Sequence, residues 1–295
     1  MPPSKDEVTV VLPALNEETS IGHVIEELKA KGYSNILVVD GYSKDKTVPI
    51  AREMGATIAY QNGKGKAGAV RTAVCMVKTP YMLVMDADYT YDPKDIEQMS
   101  SNFSECAEVI GLRVDTRNIP FIHRIGNRLI SFAFNLFMGQ RLSDPCSGMY
   151  LLMTDKARNL ELTSEGFDIE VEMAAQISSS SRIVEVPITY RKRIVKRKLS
   201  TWRAGFFIIS TVTRMAWLYN PVFLVSSITA LFTVPGAAIL LWQISSVYLY
   251  GSKAWSIGWP WLGLILLVIG GQGFTISSLS LLLKRSERRI ASKLG

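Results

Sequence analysis

Short apolar runs and helical stripes alternate along the first two hundred residues. Residues 8–12, 36–39, 56–60 and 81–85 read VTVVL, ILVV, ATIAY and YMLVM. Each has strand length and little polar interruption, the pattern of a strand covered on both faces. Between the first two, Ile21, Val24, Ile25 and Leu28 fall on one helical face. Further helices are expected from 47 and within NGKGKAGAVRTAV. Four alternations of strand and helix predict a mainly parallel α/β sheet of Rossmann-like type. Beyond Asp92-Pro93 a helix runs through Ile96 and Met99, and EVIGLR (108–113) is a further strand, as is VPITY. Residues 118–138 form an amphipathic helix with Arg124 and Arg128 four apart among aromatic, Leu and Ile positions. That face suits either packing on the sheet or a membrane surface.

The pattern changes near the end. Residues 222–250 and 254–283 carry no charged side chain, and only Lys253 interrupts them within the hairpin tip GSKAWS. Each run exceeds the roughly 20 apolar residues that span a bilayer core as a helix. Basic stretches, RKRIVKRKLSTWR at 191–203 and KRSERRIASK at 284–293, flank the pair. The excess of cationic residues on those sides predicts an in-out-in hairpin, with the preceding α/β domain and both termini cytoplasmic in a multi-pass membrane protein. The net charge is +7, and no nucleic-acid partner is expected. The expected division is an α/β domain (1–198), an amphipathic interface helix (199–220), two transmembrane helices (221–284) and a basic tail (285–295). Gly263, Gly270, Gly271 and Gly273 permit close helix packing, and with it a homo-oligomer.

The candidate chemistry lies where strands end. Ligands of open α/β sheets bind beyond the carboxyl ends of the strands. The loops expected there carry Asn16, Glu17, Asp40, Lys66, Arg71, Asp86 and Asp88. Asp86 and Asp88, in VMDADYTYDP, follow a buried run and stand two apart. Two carboxylates aimed at one point repel unless a cation or proton joins them. Three scattered cysteines form no disulfide frame, and two histidines are too few for a His-rich metal site.

The ordered series VVLPALNEE, VVDGYSKDKT, GKGKAGAVRTA, MDADYTYDP and LSDPCSGMYLL resembles the family 2 glycosyltransferases of GT-A fold. Within them it is most similar to polyprenyl-phosphate hexose synthases, the dolichol-phosphate mannose and glucose synthases, and to their archaeal forms. The resemblance covers about residues 7–200. It implies Mg²⁺ or Mn²⁺ on Asp86 and Asp88, with Asp88 the direct ligand and Asp86 a ligand or a ribose contact. It places Pro13, Ala14, Asn16, Glu17 and Ala87 around the nucleotide and makes Asp40 an acceptor from the base. Lys66 and Arg71 would meet phosphate, although an ordinary exposed loop is the alternative for Lys64 and Lys66. On the acceptor side it implies Arg113, Arg128 and Ser131 as lipid-phosphate contacts, with Arg124 competing. Asp144 would sit near the reacting carbon or near an acceptor-binding arginine, and its alternative is a turn or cap. Glu170 and Glu172 line up with a polar helix facing the site. Arg193 and Lys198, in a basic loop shorter than that of relatives, would clamp phosphate.

The implied reaction is inverting transfer of a hexose from a nucleotide sugar, UDP favoured over GDP-mannose, to dolichyl or polyprenyl phosphate at the lipid bilayer. Thr90 stands where mannose synthases often have Gln, which weighs against mannose. The rivals are a family 2 transferase acting on a saccharide acceptor and a non-catalytic, membrane-tethered nucleotide-sugar sensor.

Overall fold

A computed structural model describes residues 2–103, 106–164, 166, 168–194, 209–217, 221–251 and 255–294, with 223, 277 and 280–294 as backbone only. Lys198 and the aromatic residues Trp202, Phe206 and Phe207 lie outside the described residues. The chain divides into two compact units, Met1–Val212 and Thr213–Gly295.

The first unit is built on a seven-stranded sheet: β1 (Val8–Ala14), β2 (Ile36–Asp40), β3 (Thr57–Tyr60), β4 (Tyr81–Val84), β5 (Glu108–Arg113), β6 (Tyr150–Met153) and β7 (Ile183–Ile188). Its order is β3-β2-β1-β4-β6-β5-β7. The helices are α1 (Ile21–Ala30), α2 (Thr47–Glu53), α3 (Gly65–Met76), α4 (Asp95–Ser101), α5 (Phe121–Met138), α6 (Thr154–Arg158) and α7 (Ile169–Ser178). Residues 209–217, designated α8, are helical.

The apolar runs become central strands because both of their faces are covered. Every residue of β2 is buried, as are Val10, Val11 and Leu12 of β1 and Met82, Leu83 and Val84 of β4. The helical stripe Ile21, Val24, Ile25 and Leu28 is the buried face of α1. Helix α5 starts after Pro120 and stops at Gly139, which adopts a left-handed φ of 65° and closes the helix with its N–H on the Asn135 carbonyl.

One strand departs from the parallel plan. β6 lies between β4 and β5 and runs antiparallel to both. Its amino end therefore lies at the rim formed by the carboxyl ends of its neighbours. The segment SDPCSG arrives at that rim before β6 rather than after it.

The second unit contains α9 (Pro221–Tyr250) and α10 (Gly258–Leu294). Both are long and apolar enough to cross a bilayer, with mean hydropathy 2.0 over Leu224–Tyr250 and 1.5 over Gly258–Ile276. The basic stretch after the second apolar run continues the α10 helix as backbone. The glycines pack the two helices together. A Cβ on Gly270 would lie 2.1 Å from Thr233, one on Gly273 2.3 Å from Thr229, and one on Gly263 2.9 Å from Leu240. On α9, a Cβ on Gly236 would meet the Gly263 carbonyl at 2.9 Å. Three of the four glycines expected to permit close helix packing thus pack α10 against α9, while Gly271 faces open space.

Candidate functional site

The rim of the sheet gathers side chains from β1, β2, β4, α3, α7 and the segment after β7. Asp86 and Asp88 leave the end of β4. Asp86 pairs with Lys66, which also meets Glu170 of α7 at 2.5 Å. Lys66 belongs to the first turn of α3 and its side chain is only 8% exposed, whereas Lys64 beside it is exposed. Burial pushes the Lys66 pKa down, but Asp86 and then Glu170 outweigh it and hold the ammonium well above its usual range. Gly148 leaves room for this cluster, because a Cβ there would stand 2.4 Å from Asp86 and 2.9 Å from Lys66 Nζ.

Asp88 has a different setting. Its Oδ1 accepts from the Thr90 hydroxyl at 2.5 Å, and its Oδ2 lies 3.4 Å from Arg193 Nε. Burial raises its pKa, and the Asp86 charge adds to the rise. The neighbouring Arg193 charge opposes that rise.

The β1 and β2 loops form a framework beside the pair. Pro13 and Ala14 pair in register with Val39 and Asp40. Asn16, at a φ of 55°, accepts from the Lys44 N–H and donates its own N–H to Ser43. Glu17 is buried and accepts from Arg193 at 2.6 Å and from the Ser20 hydroxyl at 3.1 Å. Asp40 is fully buried, with its two oxygens on the Ser43 N–H (2.8 Å) and hydroxyl (2.5 Å). It shapes the turn that carries Tyr42. Tyr42 takes a left-handed φ of 64° and stacks on Tyr60 at 5.6 Å between centroids, both rings exposed. Arg71 donates to the Ser164 carbonyl at 2.5 Å, and Glu172 holds the Ser164 N–H at 2.8 Å. Of the two α7 glutamates, Glu170 reaches the Asp86 cluster and Glu172 braces the loop that engages Arg71.

The acceptor candidates meet at the segment before β6. Arg113, the last residue of β5, forks onto Asp144 with bonds of 2.6 and 2.7 Å and reaches the Cys146 carbonyl at 3.1 Å. Of the two settings expected for Asp144, the structure shows it on an arginine. Glu185 accepts from the Asp144 N–H at 2.7 Å, and the Ser131 hydroxyl donates to the Ser143 carbonyl at 3.1 Å. Arg128 lies exposed on α5, while Arg124 stands 5.7 Å over the Phe121 ring. Arg193, expected to clamp phosphate, contacts Glu17 and Asp88.

Sequence reasoning missed Glu27, Tyr89, Tyr91, Asp92, Tyr190 and Arg191. Their signal is faint: two Tyr-rich loops, YTYD and TYR, far apart in sequence, meet in a bridge between Tyr91 and Tyr190.

Among the described residues, no group of three or more His, Cys, Asp and Glu side chains gathers as a metal cage. Asp86 and Asp88 offer a two-carboxylate oxygen set. A hard divalent cation that takes its remaining ligands from substrate phosphate and water fits such a set.

The glucosyl-3-phosphoglycerate synthase of Mycobacterium tuberculosis, solved with Mn²⁺ and UDP-glucose, superposes with a TM-score of 0.60 at 19% identity, covering 70% of this chain and 78% of that one. It shows a shared GT-A fold. Glycosyltransferase AglJ of Haloferax volcanii is 34% identical over 83% of this chain and 85% of its own length. A dolichyl-phosphate hexose transferase of the same organism is 28% identical over 71% of this chain and 94% of its own. The model of Glycosyl transferase family 2 matches residues 9–160. With half the chain matched by that model, and a relative one-third identical along most of both lengths, this chain belongs to the family 2 glycosyltransferases.

Proposed function

We propose that the chain transfers one hexose, with inversion, from a nucleotide sugar to a dolichyl or polyprenyl phosphate. The observation that carries this reading is the double character of α5. Phe121, Ile125, Leu129, Phe132 and Leu136 form one exposed apolar stripe along it. From the same helix Ser131 reaches the segment that holds Arg113 and Asp144. A helix that offers lipid a face and a phosphate-binding segment a contact suits an acceptor with an isoprenoid tail and an anionic head. The similarity to a dolichyl-phosphate hexose transferase supports the same class. The α9–α10 hairpin would anchor the chain in a bilayer, with both termini on the cytoplasmic side.

Asp88 and Asp86 would hold Mg²⁺ or Mn²⁺, which when bound neutralises the leaving diphosphate as a Lewis acid. The exposed Tyr42–Tyr60 stack offers a ring face to the nucleobase, and the sequence favours UDP. Arg113, fixed by Asp144, and Arg128 would position the lipid phosphate. A phosphate monoester, with a second pKa of about 6, is already largely ionised near neutral pH. Its oxygen attacks the anomeric carbon as the bond to the nucleotide oxygen breaks on the opposite face, so no strong general base is needed. The residues supply orientation and charge neutralisation.

The test offers purified protein, Mg²⁺ or Mn²⁺ and dolichyl phosphate to a panel of radiolabelled nucleotide sugars and follows label into the organic phase. Metal-dependent label from one donor is the expected result and names the sugar. Donor hydrolysis or binding with no organic label would overturn the lipid-phosphate acceptor.

A further inference from the structure

The segment after β7 is strapped to the loop that carries Asp86 and Asp88. The Thr189 N–H donates to Asp95 at 2.7 Å, and the Arg191 N–H donates to the Thr90 carbonyl at 2.7 Å. Tyr190 bridges Tyr91, and their rings meet edge to face at 5.3 Å. The Arg191 side chain is fixed by Glu27 at 2.9 Å, by Asp92 at 2.8 Å and by the Tyr89 ring at 4.7 Å. Two residues on, this strap delivers Arg193 to the donor site.

The grip on Arg193 is uneven. Its Nη2 donates to Glu17 at 2.6 Å. Its Nε lies buried, 3.4 Å from Asp88, with no hydrogen-bond partner among the described residues. A buried donor left unpaired is costly, so a site that keeps one is set to receive an acceptor. A guanidinium can hold one carboxylate with one nitrogen and present another nitrogen elsewhere, which a lysine ammonium on a flexible stem does not do.

We propose that Glu17 is a positioning residue for Arg193. Resting on the donor-site reading above, it holds the guanidinium so that Nε faces the diphosphate oxygens of a metal–nucleotide complex. Before that complex arrives, the same cation stands against Asp88 and opposes a divalent cation that comes alone. The metal therefore binds with the nucleotide rather than ahead of it. Arg193 hinders the free metal and helps the complex.

The experiment measures Mn²⁺ binding by electron paramagnetic resonance, alone and with UDP, for the full-length wild type, R193Q, E17Q, R193K and E17Q/R193Q. Thermal unfolding confirms that each variant folds, and E17Q retains an oxygen for Ser20. R193Q is expected to tighten Mn²⁺ alone roughly threefold, by removing a cation beside Asp88. It should weaken the UDP–Mn²⁺ complex about tenfold, by removing a charged donor. R193K should keep the hindrance to free Mn²⁺ but lose most of the UDP effect. E17Q should weaken both kinds of binding in the wild-type background and change little once Arg193 is gone. If R193Q weakens Mn²⁺ alone, or if E17Q acts at full size in the R193Q background, the positioning role is overturned while the donor reading stands. A wild type that binds no UDP with Mn²⁺ overturns the donor reading and this inference together.

Discussion

Asp86 and Asp88 leave one strand two residues apart, yet each meets a cation from a different part of the chain. Lys66 reaches Asp86 from α3 and is itself held by Glu170 from the far side. The result is a cluster of two carboxylates and one ammonium in which Lys66 and Glu170 are buried and the Asp86 side chain is 32% exposed. Arg193 reaches Asp88 from the strap, without a hydrogen bond. A further carboxylate, the buried Glu108 on β5, has no cation partner among the described residues. Burial pushes it up to about 8, and its Oε2 has no hydrogen-bond partner among the described residues. The difference among the three teaches that burial alone does not define a functional carboxylate. Asp86 is held by a fixed cation, Asp88 by a looser one, and Glu108, at the other end of β5 from Arg113, keeps its proton.

The sharpest way to break this comparison is at Asp88. Asp88→Ala should reduce transfer by about 10²–10³-fold or more, the loss typical when a preorganised electrostatic contact is removed. Initial rates of lipid-linked product measure it, and near-normal turnover would reassign the metal. The next largest effect is expected on stability, at Asp86's counter-cation. Lys66→Met leaves Asp86 and Glu170 without their shared cation, and breaking a buried pair costs about 3–5 kcal/mol. Thermal unfolding should show a marked drop, partly recovered in Lys66→Met/Glu170→Gln. A Lys66→Met protein as stable as wild type would mean that the cluster is not locked.

The smallest effect sharpens the comparison at Glu108. Unfolded Glu108 ionises near its ordinary value of 4.5, whereas the folded group keeps its proton to about 8. Between those values the folded state binds more protons, so wild-type stability falls as pH rises. Glu108→Gln lacks that slope. Its stability advantage should grow by about 3–4 kcal/mol between roughly pH 5 and pH 8. Parallel stability curves across that window would show that Glu108 ionises in the fold as it does in water.

Much of the architecture was legible because burial on both faces leaves a continuous apolar run. β1, β2 and β4 announced themselves in this way, and α1 did so through Ile21, Val24, Ile25 and Leu28. The rim loops followed from strand ends, which brought Asp86, Asp88 and Glu17 together on paper. What could not be read was direction and pairing. Tyr150–Met153 is a short apolar stretch, and nothing in four residues tells that β6 runs against its neighbours. Lys66 and Lys64 look alike in GKGK, but the helix begins between them and turns one inward to Asp86. Asp40 carries no mark that Ser43 will take both its oxygens. The contacts of Arg193 with Glu17 and Asp88 could not be read either, because the strap that delivers it rests on a bridge between Tyr91 and Tyr190, about a hundred positions apart.

The antiparallel course of β6 has a consequence for how such a chain can diversify. Ile110 of β5 stands opposite Tyr150 of β6. The intervening stretch, with α5 and the Asp144 segment, therefore departs and returns at adjacent strand ends. It is an excursion whose two ends stay in place whatever its content. Descendants can lengthen, shorten or exchange it as a cassette without moving β1, β2 or β4. In such a scaffold the α5 and Asp144 segment can vary between fixed ends, while β1, β2 and β4 keep the rim that carries Asp40, Asp86 and Asp88.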